Sequence, residues 1–308
     1  MLNFIGIWNR LGIRKKRYLF MALLFVFILT GVFFLRSPVL VVTDASFYLI
    51  YGSQRFNRAV TRNSFALFRR LIPVTVAENA APDVISLIVE GASRSPRAVI
   101  FPHRYASAAL FYSTRHPQTP VLVMWGRNPL PPAFDESTNL ALVPTDRASD
   151  LHRAGASAAV LARETQEVLF LTDEAFDGAV PDSQGQYRQT FTAGLRAQGF
   201  TGEPVFLEAH VQHASYTDIG CVVIAGPASD FLERNLDIPV ILFSWIDPAF
   251  TPRAVRIIFN DSPLVLAPPA LRAFSQGERV IFVPSHARTL SGRIEERSDS
   301  RRLRRLLN

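Results

Sequence analysis

Apolar positions along the chain follow two patterns. Tyr18 to Leu35 reads YLFMALLFVFILTGVFFL, 18 residues with neither a charge nor a proline. As a helix this run would be about 27 Å long, close to the hydrocarbon thickness of a bilayer. Arg17 and Arg36 bracket it, placed to reach the two interfaces. From Pro38 onward, short apolar runs alternate with segments of helical period. Val39–Thr43 (VLVVT), Pro73–Ala77, Arg97–Phe101, Pro120–Trp125 and Leu140–Val143 are predicted strands. Between them the spacing predicts helices over Phe56–Leu71, Asp83–Glu90 and Ala106–Ser113, and a fourth from a cap at Ser149 or Asp150 to about Arg163.

The pattern restarts near residue 166. Strand Glu167–Leu171 is followed by helix Gln186–Gln198, stopped by Gly199. Strands Val205–Glu208 and Cys221–Ala225, a short helix Ser229–Asn235, and strands Pro239–Phe243, Val255–Asn260 and Glu278–Val283 complete the series. Strands that are apolar throughout mark a parallel sheet covered on both faces, and their interleaving with helices marks an α/β fold. The expected architecture is one N-terminal transmembrane helix followed by two doubly wound parallel-sheet lobes with a cleft between them. Residues 1–17 form a basic cytoplasmic segment and 18–35 a transmembrane signal anchor. The first lobe takes 37–145, joined by a late strand from 255–287, and the second takes 146–254. Residues 288–308 are a basic tail, either a solvated end or a helical turn on anionic lipid or a partner. Only a dozen residues separate strands 205–208 and 221–225, too few for a crossover helix, so the second lobe is expected to be shortened.

A hydrophobic content of 48% with a single cysteine excludes a disordered chain and a disulfide scaffold. The net charge of +7 would suit nucleic acid if it were spread over the fold. It is made at the ends instead. Arg10, Arg14, Lys15, Lys16 and Arg17 precede the apolar run with no acid among them, and residues 288–308 hold seven arginines against Glu295, Glu296 and Asp299. Residues 37–287 carry 20 arginines against 23 acids, a net charge of −3, so no nucleic-acid partner is expected. The five basic residues before the span place the N-terminus in the cytoplasm and residues 37–308 on the periplasmic or other extracytoplasmic side of the inner membrane. After the run the chain continues Phe33-Phe34-Leu35-Arg36-Ser37-Pro38, without the small-residue pair of a cleavage site, so the span reads as uncleaved. Cys221 sits mid-strand as a small buried hydrophobe.

No strand is followed by GxGxxG or a Walker A loop, and there is no HExxH. The nearest approach to a nucleophile elbow, Gly155-Ala-Ser157-Ala-Ala159, falls inside a predicted helix. Glu208, His210 and His213 read as polar residues at a strand exit rather than metal ligands. The expectation is no enzyme, no metal and no cofactor.

Tyr187-Arg-Gln-Thr-Phe191-Thr-Ala-Gly194-Leu195-Arg-Ala-Gln-Gly199 is similar to the helix that opens the second lobe of type I periplasmic binding proteins. Cys221 to Trp245, with VVIAGP, DFLERNL and IPVILFSW, resembles that family's strand, helix and Ile-Pro-Val strand. The resemblance covers about residues 37 to 287 and implies a sugar- or nucleoside-class ligand in a cleft between lobes. Open α/β sheets bind at the carboxyl ends of their strands. Those ends carry the candidates Asp44, Phe47, His103, Tyr105, Trp125, Arg127, Asp173, Trp245 and Asp247, with Thr43, Ser46, Thr145, Asp146, Glu174 and Ser244 beside them. Aromatic rings stack on the apolar face of a polyhydroxyl ligand while charged groups bond its hydroxyls. The function expected is a membrane-anchored solute-binding-like protein that closes two lobes about hinges near Thr145, Asp247 and Asn260. The alternative is an envelope interaction or structural protein that keeps the fold without a ligand. Partners would be the bilayer, a small molecule, and a membrane transporter or envelope protein.

Overall fold

The computed structural model describes residues 13–45, 53–125, 139–162, 167–172, 185–208, 218–225, 237–243, 254–260, 262–290, 294 and 297–307. Helix α1 (Ile13–Leu35) contains the apolar run, and none of its described side chains from Tyr18 to Leu35 is buried. Its last turn meets the first lobe, where the Phe33 ring lies 5.8 Å from Phe65 and 6.0 Å from Phe68.

Strand β1 (Val39–Thr43) is buried along its whole length because both its faces are covered. Val39 and Val41 join one core cluster, packed on Leu264, Leu266 and Ala270. Leu40 and Val42 join another, packed on Ile85, Val89 and Tyr112. Burying each such side chain contributes roughly 1.5–3 kcal/mol. The sequence continues through α2 (Ser53–Leu67), β2 (Leu71–Thr75), α3 (Pro82–Ala92), β3 (Ala98–Pro102), α4 (Ala106–Arg115), β4 (Val121–Trp125) and β5 (Leu140–Pro144). The sheet order is β2-β1-β3-β4-β5, all parallel.

Helix α2 ends four residues before the expected boundary. Phe68 adopts φ +48°, the left-handed conformation that terminates helices, and Ser64 Oγ accepts from Leu71 N at 2.9 Å. Strand β2 therefore starts at Leu71 instead of Pro73.

The second lobe is built from α5 (Arg147–Ala162), β6 (Glu167–Thr172), α6 (Gln186–Arg196), β7 (Val205–Glu208), β8 (Ile219–Ala225), β9 (Val240–Phe243) and β10 (Val255–Asn260). Helix α7 (Pro263–Ser275) returns to the first lobe, and β11 (His286–Thr289) and α8 (Arg297–Leu307) return to the second. The second sheet runs β11-β10-β9-β8-β6-β7, with only β11 antiparallel. Alternate residues of β6 and β8 again enter different clusters, Phe170 and Val223 on one face, Leu169 and Val222 on the other. Helices α5 and α6 touch backbone to backbone: a Cβ added to Gly155 would lie 2.1 Å from the Phe191 carbonyl oxygen, and one added to Gly194 would lie 2.1 Å from that of His152. The run Gly155-Ala-Ser157-Ala-Ala159 is thus a helix-packing face.

Two expectations are corrected. The second lobe does not end at 254: the strand at 255–260 belongs to its sheet, beside β9. The segment that rejoins the first lobe is 279–283. It lies parallel to β5 through bridges Leu142 to Val280 and Thr145 to Val283, with Ile281 N donating to Leu142 O at 2.9 Å. The basic tail is neither solvated nor separate: α8 places Leu303 and Leu307 in the second lobe's core, with Leu306 packed against it. Those leucines at i, i+3 and i+4 form one apolar stripe, diluted by surrounding arginines.

Helix α7 was missed because of Pro268 and Pro269. Pro268 has no N–H for the carbonyl of Leu264, four residues earlier. Buried Asn63 of α2 supplies the bond, its Nδ2 donating to Leu264 O at 2.6 Å. Asn63→Ala should leave that carbonyl unpaired and cost about 1–3 kcal/mol, read as a lower denaturant midpoint with unchanged slope. Gly155→Ala should force α5 and α6 apart and cost about 1–3 kcal/mol or more, although alanine is the better helix former. A neutral result in chemical denaturation would contradict the close crossing.

Candidate functional site

Both sheets have the order in which the chain winds outward from two adjacent strands, giving a switch point between β1 and β3 in the first lobe and between β6 and β8 in the second. The chain passes between lobes three times: β5 to α5, β10 to α7, and 283 to β11. Each passage leaves from a strand's carboxyl end, so the carboxyl ends of both sheets face the junction. The crossings near Thr145 and Asn260 coincide with two expected hinges. The strands on either side of Asp247 both belong to the second sheet, and the third crossing is at 284–285.

At the first switch point the structure brings together Asp44, after β1, and the turn His103–Tyr105, after β3. Asp44 is fully buried. Its Oδ2 accepts from the Tyr105 hydroxyl at 2.9 Å and pairs with Arg104 Nη2. The Arg104 guanidinium also lies over the Tyr105 ring, 5.2 Å from its centroid, and its side chain remains 42% exposed. Burial raises the Tyr105 pKa, partly offset by Arg104, which keeps the phenol a donor to the carboxylate. Asp44 therefore orients Arg104, and Arg104 presents the exposed charge. Its signal in the sequence was its place between two candidates, His103 and Tyr105, at a strand end.

Other candidates have structural duties. Thr43 is buried, with Oγ1 donating to Val74 O at 3.4 Å. Asp146 caps α5, its Oδ1 accepting from Ser149 N at 3.0 Å, so the cap is neither Ser149 nor Asp150. Thr145 bridges to Val283. Trp125 closes β4, its backbone beside Pro144. Phe47, Arg127, Asp173, Trp245 and Asp247 lie outside the described residues, as do Ser46, Glu174, Ser244, His210, His213 and helix 229–235.

A second buried carboxylate, Asp150, ties the third crossing to the second lobe. It accepts from Ser285 N at 2.9 Å, from Ser285 Oγ, and from Arg153 Nη2 at 2.7 Å. Arg153 also donates to Ser285 O at 2.8 Å and to Leu307 O at 2.9 Å. Burial raises the Asp150 pKa, while Ser285, Arg147 and Arg153 pull it down. Among the described residues the hydrogen bonds of Asp150 and Arg153 tie the third crossing to helix ends of the second lobe, which makes the cluster a joint. The Cys221 thiol is fully buried and its pKa is raised by that burial, which removes it as a nucleophile. Among the described residues no group of three His, Cys, Asp or Glu side chains could hold a metal ion.

No family model matches the sequence. No curated protein matches it either. Solved structures do match in fold. An ABC-transporter solute-binding protein from Conexibacter woesei is 13% identical with TM-score 0.58, covering 88% of this chain and 95% of its own. A transcriptional activator of the comK gene from Bacillus halodurans is 9% identical with TM-score 0.57 over the same shares. A periplasmic solute-binding protein from Actinobacillus succinogenes with bound D-allose is 11% identical with TM-score 0.51, covering 86% of this chain and 100% of its own. Binding proteins and a regulator share this architecture, and at such identities the likeness is one of fold: the chain has the two-lobed α/β fold of the type I periplasmic binding proteins.

Proposed function

We propose that this is a membrane-anchored, extracytoplasmic solute-binding-like protein that takes a small polyhydroxyl ligand, a sugar or nucleoside, between its lobes and closes on it without bond chemistry. The observation that carries the reading is Arg104, held by Asp44 and Tyr105 at the switch point where three chain crossings bring the carboxyl ends of both sheets together. A fixed guanidinium supplies directed donors to hydroxyls, and Phe47, Trp125, Arg127, Asp173, Trp245 and Asp247 are the proposed further ligand-facing residues. The apolar run of α1 from Tyr18 to Leu35, long enough to cross a membrane and preceded by five basic residues, supports the anchor and its orientation.

One observation favours the ligand-free alternative: Asp44, the carboxylate expected to bond a ligand, has no exposed surface and is bonded to Tyr105 and Arg104. A thermal-shift screen of sugars, nucleosides and amino acids on the full chain in mild detergent separates the two. A true ligand at a hundredfold its Kd should add about 2.7 kcal/mol, a rise of a few degrees that Arg104→Ala removes when measured against that variant's own unliganded midpoint, which is itself lowered because Asp44 is left buried without its cation. No rise with any class would leave the envelope-protein reading standing.

Membrane topology has its own test. The full chain should stay with the membrane through alkaline extraction, and a reporter that folds only outside the cytoplasm should be active when fused after Asn308. A reporter active only in the cytoplasm would reverse the orientation.

A further inference from the structure

The first lobe has two poles, separated by the five residues of β1, about 16 Å. The carboxyl pole holds Asp44 and Arg104. At the amino pole, where β1, β3 and β4 begin, lies a cavity of about 330 Å³ whose lining includes Val39, Leu67, Arg69, Arg97, Leu271 and Phe274. Helix α1 enters at this pole. Only Arg36, Ser37 and Pro38 separate Leu35 from Val39, so the cavity's rim stands within about 14 Å of the helix end. The junction is packed: Phe33 lies against Phe65 and Phe68, and the Arg36 guanidinium sits 4.8 Å above the Phe68 ring.

Arg36, Arg69 and Arg97 gather their charges at this pole, where Arg69 Nη1 donates to Ser37 O at 3.4 Å. Among the described residues no acidic side chain forms an ion pair with Arg36, Arg69 or Arg97. Burial and then repulsion from Arg97 and Arg36 lower the pKa of Arg69. Like charges gathered beside an apolar wall cost stability unless an anion joins them.

We propose that this cavity binds the headgroup of an anionic phospholipid, with Arg69 and Arg97 taking the phosphodiester oxygens and Leu271 and Phe274 flanking its glycerol carbons. Arginine matches phosphate with paired donors, and a span ending at Leu35 puts the cavity at headgroup depth. The identification of the lipid as the anion's source rests on the membrane-anchored reading. Bound this way, the lobe stands on its amino pole with the cleft pole directed away from the bilayer.

The test uses the full chain in nonionic detergent and follows its melting midpoint with dihexanoyl phosphatidylglycerol, dihexanoyl phosphatidylcholine and inorganic phosphate. The anionic lipid should give a saturable rise, the zwitterionic one should bind roughly tenfold or more weakly, and phosphate should give none. The double variant Arg69→Gln, Arg97→Gln should lose the rise. Arg97→Gln alone, at an exposed position relieved of repulsion, should fold normally and bind more weakly. No rise with phosphatidylglycerol, or a rise the double variant keeps, would overturn the proposal, and an equal rise with phosphate would replace the lipid by a free anion. Because the short-chain lipid is supplied in solution, alkaline extraction that released the chain while the arginine-dependent rise persisted would remove the anchor and leave the anion site.

Discussion

Both sheets are buried on both faces, and much of the rest of the molecule follows from that. A parallel sheet leaves no face for water, so each strand needs apolar residues at every position and each sheet needs a helical layer above and below. In the first lobe α3 and α4 cover one face. The other requires α2 and α7, and α7 comes only after the whole second sheet. In the second lobe α5 and α6 occupy the face completed by α8. The three crossings between lobes are the connections this covering demands.

Much of this was legible because a doubly buried strand has a plain signature. VLVVT at Val39–Thr43 and the strands at 205–208 and 255–260 lie where the pattern put them. What escaped was the material that contradicts local preference. Two consecutive prolines hid α7, since the compensating donor on Asn63 lies in another helix. Five arginines around three leucines hid the apolar stripe of α8. A phenylalanine at φ +48° ended α2 early, where sequence preference offers no stop. The second lobe's expected end at 254 fell short for a different reason: strand character can be read locally, but sheet membership is set by which neighbour completes the hydrogen-bond ladder.

The candidate site was legible to the level of strand ends and no finer. Knowing that ligands sit at carboxyl ends selected Asp44 and Tyr105, and these do meet. Which of them faces outward depends on side-chain pairing across 61 residues, and the pairing turns Asp44 inward and Arg104 outward. A carboxylate that serves to hold a guanidinium explains why an aspartate at the switch point has no surface of its own. The Asp150 cluster repeats this at the third crossing, where Arg153 is shared between Asp150, Ser285 and the end of α8.

The bond from Asn63 to Leu264 joins residues 201 positions apart, and that distance has a consequence for biosynthesis. When the first five strands have left the ribosome, the surface that will lie under α7 is still bare, and it stays bare until the second lobe has been made. The second lobe in turn waits for its last eleven-residue helix. Neither half can be finished until residues 263–307 have been made, so the two lobes mature together, and nascent chains carry an open apolar sheet face while the second lobe is being made. For a polypeptide whose first segment is a candidate membrane span, that interval is when a chaperone would matter most.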